Sequence, residues 1–390
     1  MPVPARPLQT SPGMRDAAMG AVALFVGLGL GRFAYSPMIP ALVQAGWFRP
    51  AAADYLGAVN LLGYLIGAAV TGQWLAHRAP GVWLRWALVV TAGSLAACAL
   101  PWGFAWYFLW RLLAGIAAGV LMVLAVPAVL ARVPERRRGV LGGVTFGGVG
   151  VGMIFSGEAL PSLVKLGIPA AWLILAGMVL GLTAAAWSYW SCLRPPTEVP
   201  TATGAPWHHA GWWVVVLLGA AYAGNAMGFA PHSLFWVDYI ARELHRGLAT
   251  GGHFFLLFGL GVTLGPSLAG WLGDRWGVRH CLAAALACEA LGVGLPLWGS
   301  GGWGLAASSL LVGAAGMGAT TLTSARTIEI ATPAGRTRLW GIMTLIFSTA
   351  YAAAGTGYAA VYAHTGSYLP VFTIAAVGLG LAAVLAAFAG

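Results

Sequence analysis

Long apolar stretches that follow one another along the chain constrain its fold more than any other feature of the sequence. Charged residues make up only 8% of the chain, against about 25% in soluble domains, whose surfaces must face water. The sequence therefore predicts an all-α membrane protein and excludes soluble enzymes, nucleic-acid-binding proteins and disordered chains. Twelve stretches approach or exceed the roughly 20 residues that a helix needs to cross a bilayer: 17–40, 53–77, 82–102, 104–131, 139–163, 170–192, 211–238, 250–273, 279–299, 303–327, 338–362 and 367–389.

Polar segments divide these predicted spans into two groups of six. The longest polar segment between spans, residues 193–210, is rich in Pro and Thr and predicts a flexible linker. We therefore expect an N-terminal tail at 1–16, a six-helix bundle at 17–192, the linker at 193–210 and a second six-helix bundle at 211–390.

The two predicted bundles repeat each other. At an offset of 198 residues, Gly63 and Gly67 of the second span coincide with Gly261 and Gly265 of the eighth. Parallel six-helix repeats about an axis along the membrane normal are typical of secondary transporters, which bind their substrate between the repeats. The repeat therefore favours a transporter with a central cavity.

Basic side chains are distributed unevenly between the links that join the spans. With the N-terminus inside, the inner links carry fourteen of the 20 basic residues and the outer links carry four, while Arg32 and Arg111 lie within spans. Positively charged links stay on the cytoplasmic side of membrane proteins, so both termini are predicted to be cytoplasmic and the protein to lie in the inner membrane. The net charge of +10 thus reflects topology, and we expect no nucleic-acid partner.

The segment GWLGDRWGVRH, between the eighth and ninth spans, is the most specific motif of the chain. It resembles the loop signature of the major facilitator superfamily (MFS). The resemblance implies a conformational latch, in which a glycine lets two helices approach closely and an aspartate faces the N-terminus of a helix in the other half. The start of the fifth span is the expected partner. The latch residues are Gly270, Asp274, Arg275, Gly277 and Arg279.

The corresponding segment of the first half, GQWLAHRAPG, departs from this signature. Gly72 and Arg78 match it, but His77 stands where the signature has aspartate, and one residue is inserted. The resemblance therefore implies a weaker latch in the first half, or a pH-sensitive one, because histidine titrates near neutrality.

Two arginines within spans are the first candidates for the transport pathway. Arg32 lies about 22 Å along its helix from residue 17, so it needs an acidic partner or a wet cavity. We predict a contact with Glu158, with Asp54 as the alternative acid and a purely structural ion pair as the alternative role. Arg111 begins the segment RLLAGIAAG, which resembles the R-x-x-x-G-x-x-x-G pattern of the superfamily. That resemblance implies a role in proton coupling or substrate binding, and the alternative is snorkelling to the surface.

The segment GRFAYSPMIP at 31–40, followed by DYLGAVNLLGYLIG at 54–67, resembles the YbfB/YjiJ-type branch of the superfamily. This resemblance implies the MFS fold, with twelve helices in two pseudo-symmetric six-helix bundles around a cavity. The seventh span is the repeat partner of the first and is expected to line that cavity. The further predicted pathway residues are Tyr35, Asn60, Tyr64, Tyr222, Asn225 and His232.

Glu289 lies near the middle of the ninth span, which is usually peripheral in this fold. We expect this carboxyl to be protonated or paired there, and a role in ion coupling is the less favoured interpretation. Catalytic motifs and metal-binding spacings are missing from the sequence, so we expect neither an enzyme nor a cofactor.

These features together predict a monomeric secondary transporter that moves a small organic solute, anionic or amphipathic, with protons as the coupling ion. An exporter of drugs or metabolites by proton antiport is the alternative within the same class. A membrane sensor or assembly factor that transports nothing is the alternative from another class.

Overall fold

A computed structural model describes residues 13–71, 79–193, 212–332 and 335–389. All the secondary-structure elements in these ranges are helices. The α-helices are α1 (Met14–Leu24), α2 (Tyr35–Gln44), α3 (Pro50–Val70), α4 (Pro80–Ala97), α5 (Phe104–Leu130), α6 (Arg138–Val164), α7 (Ile168–Ser191), α8 (Trp212–Ala230), α9 (Trp236–Asp238), α10 (Gly247–Trp276), α11 (Val278–Gly294), α12 (Gly302–Ile330), α13 (Arg336–Thr365) and α14 (Leu369–Phe388).

Each of the twelve predicted spans falls on a helical segment of the described ranges. Ten of these segments are long and apolar enough to cross a membrane. The second predicted span corresponds to α3, whose described apolar part, Tyr55–Val70, is shorter, and the third corresponds to α4. The predicted all-α class is therefore confirmed, while the count of twelve spans stays a prediction.

Helix packing in the second half repeats that in the first. The pairs α3–α5, α4–α7 and α1–α6 of the first half have the counterparts α10–α12, α11–α14 and α8–α13 in the second. The two halves meet along α6–α10 and along α3–α13, which are themselves equivalent pairs. The pattern is that of a duplicated unit with pseudo-symmetry between its copies.

A π-helical segment, Phe25–Phe33, joins α1 to α2 and contains three glycines in the sequence FVGLGLGRF. One of them, Gly29, lies so close to α6 that an added Cβ would come within 2.6 Å of the Cα of Gly152. Such π-helical turns are rare and often mark functional sites. This segment carries Arg32 next to the interface between the two halves.

Three expected features reach outside the described residues. The linker at 193–210 falls there except for Leu193, as do the first-half loop residues Gly72, His77 and Arg78 and most of the tail at 1–16. The first helix begins at Met14, inside the expected tail. Asp16 in this helix pairs with Arg132 at 3.6 Å and accepts a 2.6 Å hydrogen bond from the Tyr189 hydroxyl.

Close backbone contact between α3 and α5 gives the first testable prediction. A Cβ at Gly115 would lie 2.1 Å from the carbonyl oxygen of Asn60, so Gly115→Ala should lower the free energy of unfolding by about 1–3 kcal/mol through overpacking. Thermal unfolding in detergent measures the effect. The matched control is Gly93→Ala, since a Cβ at Gly93 meets no atom within 4 Å. Equal melting temperatures for the two variants would contradict this packing.

Candidate functional site

A small cavity lies between the two halves of the protein. Its volume is about 40 Å³, which is room for a few water molecules, since a cavity needs roughly 10–15 Å³ to hold one. Apolar and aromatic side chains form most of its wall, and a guanidinium is its charged group within the described residues. The wall includes Arg32, Phe33 and Tyr64 from the first half and Tyr222, Phe347 and Tyr351 from the second.

The guanidinium of Arg32 is surrounded by aromatic rings. Its Cζ lies 5.1 Å from the ring centroid of Phe33, 5.9 Å from that of Tyr64 and 5.0 Å from that of Tyr351. Within the described part of the chain it forms neither an ion pair nor a hydrogen bond. The rings stabilise the cation through their quadrupoles, but they satisfy none of its five N–H donors.

The structure does not bring Arg32 and Glu158 together. Glu158 is exposed, and the face of α6 that borders the cavity carries Val149 and Met153 instead. At 3.6 residues per turn, Glu158 is rotated about 140° from Met153 around the helix. The predicted Arg32–Glu158 ion pair is therefore not formed, because similar depth in the membrane does not place two residues on facing sides of their helices. The side chain of Asp54, the alternative acid, lies outside what the structure describes.

Arg111 lies inside the first half, where it is 1% exposed. Its Nη1 donates a 2.8 Å hydrogen bond to the carbonyl oxygen of Gly31, and its Cζ lies 4.3 Å from the ring centroid of Tyr35. The side-chain amide of Asn60 donates to the carbonyl oxygen of Arg111 at 3.0 Å. Arg111 therefore ties α5 to α3 and to the π-helical segment that carries Arg32, and it does not snorkel.

The remaining predicted pathway residues take different positions. Tyr64 and Tyr222 line the cavity, and their place in a transport pathway stays a prediction. Asn225 lies behind the cavity wall, within 3.3 Å of the Thr320 hydroxyl. His232 is fully buried: it stacks on Trp236 with centroids 4.1 Å apart, and its Nε2 hydrogen-bonds Ser308 at 2.8 Å.

Asp274 meets the N-terminus of α6, the helix that the loop motif implies as its partner. Its Oδ1 accepts a 2.9 Å hydrogen bond from the backbone N–H of Gly139, and its Oδ2 accepts a 3.2 Å bond from that of Val140. The first N–H groups of a helix lack partners within the helix and carry the positive end of its dipole. The carboxylate of one half thus caps a helix of the other.

Glycines allow α6 and α10 to approach closely enough for this cap. A Cβ at Gly270 would lie 1.8 Å from the carbonyl oxygen of Gly139, and one at Gly143 would lie 2.3 Å from the Cα of Ser267. Neither position tolerates a side chain without separation of the helices. Close packing against α10 thereby explains these glycines of the fifth predicted span.

The other residues of this motif have separate roles. The backbone of Gly277, between α10 and α11, has a φ of 90°, a left-handed conformation that favours glycine. Arg279 donates a 2.8 Å hydrogen bond from Nε to the carbonyl oxygen of Ala387, near the end of α14. Arg275 is exposed, with Cζ 5.8 Å from the Trp271 ring centroid, and forms no ion pair within the described ranges.

Sequence reasoning missed the contribution of α13 and α12 to the cavity. Phe347 and Tyr351 stack with centroids 6.1 Å apart, and the Tyr351 hydroxyl lies 2.8 Å from that of Ser233. Their i, i+4 spacing on a span equivalent to the fifth was the available signal. Thr320 also reaches the cavity, and nothing in the sequence distinguishes it from neighbouring threonines.

Comparison with solved structures identifies the fold. The human organic anion transporter MFSD10 (TETRAN) is 17% identical with a TM-score of 0.78, over 97% of this chain and 100% of that one. A bacterial homologue of the iron transporter ferroportin in its outward-facing state is 13% identical with a TM-score of 0.75, over 97% and 99% of the chains. FucP in its outward conformation is 13% identical with a TM-score of 0.75, over 96% and 98%. These similarities show the fold alone.

The sequence family of the chain defines its class, an MFS-type membrane transporter and not an enzyme. The family described as "Uncharacterised MFS-type transporter YbfB" matches residues 24–387. The chain belongs to this family, so the resemblance drawn from its motifs is confirmed. A comparison with curated proteins gave no match.

The cap on α6 predicts a local change in hydrogen exchange. In Asp274→Ala the backbone N–H groups of Gly139 and Val140 lose their acceptor, so a peptide that contains them should exchange faster in mass-spectrometric measurements. The control is Asp16→Ala, which removes a carboxylate from α1 without touching this cap. Unchanged exchange in Asp274→Ala would show that the carboxylate does not hold these groups.

Proposed function

We propose that this protein is a secondary transporter of a small organic anion with an apolar body, working by alternating access and coupled to protons. The observation that carries the proposal is Arg32, a cation in the central cavity with no acidic partner among the described residues. The proposal keeps the transporter class that the family defines and adds the substrate class, the mechanism and the coupling ion.

The surroundings of Arg32 favour an anion. Placing an arginine at the centre of a membrane helix costs about 2.5–3.5 kcal/mol on insertion scales, and such residues normally pair or line a pathway. Here aromatic rings stabilise the charge partially and leave its N–H donors free. A carboxylate or similar group would accept from those donors, while the rings of Phe33, Tyr222 and Phe347 would contact an apolar body.

The size of the cavity favours a transport cycle with conformational change. A volume of about 40 Å³ admits a few waters but is too small for an organic anion. Binding therefore requires the two halves to separate on one side, which is the motion that alternating access provides. The described conformation is therefore closed at the centre.

The contact between α6 and α10 is the proposed latch of this cycle. Asp274 caps α6 and Gly270 permits the close approach, so both interactions break when the halves separate at this end. Arg275, Gly277 and Arg279 belong to the same motif, at the junction of α10 and α11. The first-half residues Gly72, His77 and Arg78 are proposed to act at the equivalent place between α3 and α13.

The proposed orientation follows from the distribution of basic residues. Both termini and the latch lie on the cytoplasmic side of the inner membrane, and the segment 193–210 joins the bundles at 17–192 and 211–390 on that side. The chain acts as a monomer, because each molecule contains both halves of the pathway.

The substrate class is tested by flux into proteoliposomes, with a series of monocarboxylates from acetate to benzoate. Proteoliposomes with the wild-type protein should accumulate more benzoate than protein-free liposomes in response to a pH gradient. Arg32→Gln should bind it at least about tenfold more weakly, because loss of one partner of a buried charge pair costs about 2–5 kcal/mol. Arg85→Gln is the matched control, since Arg85 lies on α4 against the Trp187 ring at 4.8 Å and outside the cavity.

Benzamide is the matched control ligand, because it has the same ring without the charge. It should compete weakly, and equally, in wild type and Arg32→Gln. Equal benzoate affinity in wild type and Arg32→Gln would refute the anion proposal. A wild-type protein that moves no monocarboxylate of the series would refute it as well.

The proposed orientation is tested by reporter fusions. A reporter that is active only in the cytoplasm should be active when it is inserted within 193–210, and one that is active only outside the cytoplasm should be inactive there. The opposite pattern would overturn the proposed orientation.

A further inference from the structure

The second half contains a carboxyl group that is completely enclosed. Glu289, on α11, is 0% exposed. Its Oε1 has no hydrogen-bond partner among the described atoms. The ninth span is usually peripheral in this fold. The side chain of Glu289 nevertheless points inward, towards α8 and α12.

A missing side chain on α12 makes room for this carboxyl. A Cβ at Gly316 would lie 2.8 Å from Oε1 of Glu289 and 2.7 Å from the ring of Phe229. Phe229 itself lines the central cavity. The carboxyl therefore occupies a space between α8 and α12, directly behind the cavity wall.

Asn225 connects Glu289 to the cavity. One atom of its side-chain amide group lies 2.8 Å from Oε2 of Glu289, and the other lies 3.3 Å from the hydroxyl of Thr320. Thr320 lines the cavity. A continuous row of polar groups thus runs from the enclosed carboxyl to the cavity wall.

The amide of Asn225 fits this row in two orientations. With its NH₂ towards Glu289, it donates to a carboxylate and to the carbonyl oxygen of Gly316, while its oxygen accepts from the Thr320 hydroxyl. With its oxygen towards Glu289, it accepts from a protonated carboxyl, and its NH₂ donates to Thr320. The same atomic positions therefore accommodate both protonation states of the carboxyl.

Within the described residues, the helices packed against α11 place no cation beside Glu289. Neither α14 nor the turn Leu295–Leu297 has an ionisable side chain. Arg326 and Glu329 of α12 begin ten residues beyond Gly316 and pair with each other at 2.8 Å. Such surroundings favour the neutral acid.

The titratable groups of the other neighbouring segments lie towards helix ends, lie in the cavity wall or already form hydrogen bonds. His253, Asp274 and Arg275 lie towards the two ends of α10, and Tyr222 of α8 lies in the cavity wall. His232 hydrogen-bonds Ser308, whose hydroxyl donates at 2.7 Å to the carbonyl oxygen of Gly292. The remaining titratable residues of α11 itself are Arg279, His280, Cys281 and Cys288.

The repeat shows that the fold does not require an acid here. At the offset of 198 residues, the position of Glu289 corresponds to Thr91 of α4. Thr91 is also fully buried, and it donates a 2.9 Å hydrogen bond to the carbonyl oxygen of Ala87 in its own helix. The first half thus packs with a neutral hydroxyl where the second half encloses a carboxyl.

We propose that Glu289 binds the coupled proton, and that Asn225 and Thr320 link its protonation state to the substrate cavity. The proposal rests on the proposed function, to which it adds the site of the proton. When water enters the widened cavity, the O–H bond of the carboxylic acid breaks and the proton passes to water. The Asn225 amide then turns, and the Thr320 hydroxyl changes from acceptor to donor towards it. Substrate contact at Thr320 and proton binding at Glu289 thereby influence each other reciprocally.

Infrared spectroscopy of the purified, full-length protein tests the protonation of Glu289 without any substrate. Wild-type protein at neutral pH should show the C=O stretch of a protonated carboxyl. Glu289→Gln should lose that band, whereas Glu158→Gln, which changes an exposed glutamate of α6, should keep it. If Glu289→Gln does not fold, Glu289→Asp should shift the band. A wild type without the band, or a band that Glu289→Gln retains, would overturn the assignment.

Transport of benzoate tests the coupling. Glu289→Gln should still exchange labelled for unlabelled benzoate across the membrane, while accumulation driven by a pH gradient should fall to that of protein-free liposomes. Gradient-driven accumulation at the wild-type level would overturn the coupling role. If wild type shows the infrared band but moves no benzoate, the proposed function fails and the coupling role fails with it. If wild type moves benzoate without the band, only the assignment of Glu289 fails.

Discussion

The contact of an arginine with three aromatic rings, with no acid beside it among the described residues, is the interaction on which the rest of this structure depends. The rings of Phe33, Tyr64 and Tyr351 come from both halves of the protein, so the environment of Arg32 exists only while the halves are together. An anion would provide what the rings lack, which is an acceptor for the guanidinium N–H groups. Among the described residues, the guanidinium at the centre of the protein thus has aromatic rings around it but no hydrogen-bond acceptor.

The two halves share their packing but differ in their chemistry. Arg32 and Arg111 both belong to the first half, and the position of Arg111 corresponds in the second half to Ser309, which accepts a 2.9 Å hydrogen bond from Trp236. The enclosed acid, Glu289, belongs to the second half. A duplicated scaffold therefore places a cation on one side of the cavity and an enclosed carboxyl group on the other. Relative motion of the halves would change the separation of these groups.

Much of the fold could be predicted from the sequence. The length of the apolar stretches predicted helices that cross the membrane, and the loop motif predicted a contact between the two halves. The cap of α6 by Asp274 was predictable, since the motif fixes both the close approach at Gly270 and the placement of the aspartate. The Arg32–Glu158 pair was not, because depth along a helix does not determine the direction in which a side chain points. The row from Glu289 to Thr320 depends on a single missing side chain at Gly316, which the sequence does not distinguish from many other glycines.

The most direct test of this account is a structure determined in the presence of benzoate. The account predicts that the carboxylate contacts the guanidinium of Arg32, that the ring lies among the aromatic side chains, and that the cavity is wider than the present 40 Å³. Benzoate bound elsewhere, or a central cavity that stays closed with Arg32 unoccupied at saturating benzoate, would contradict it.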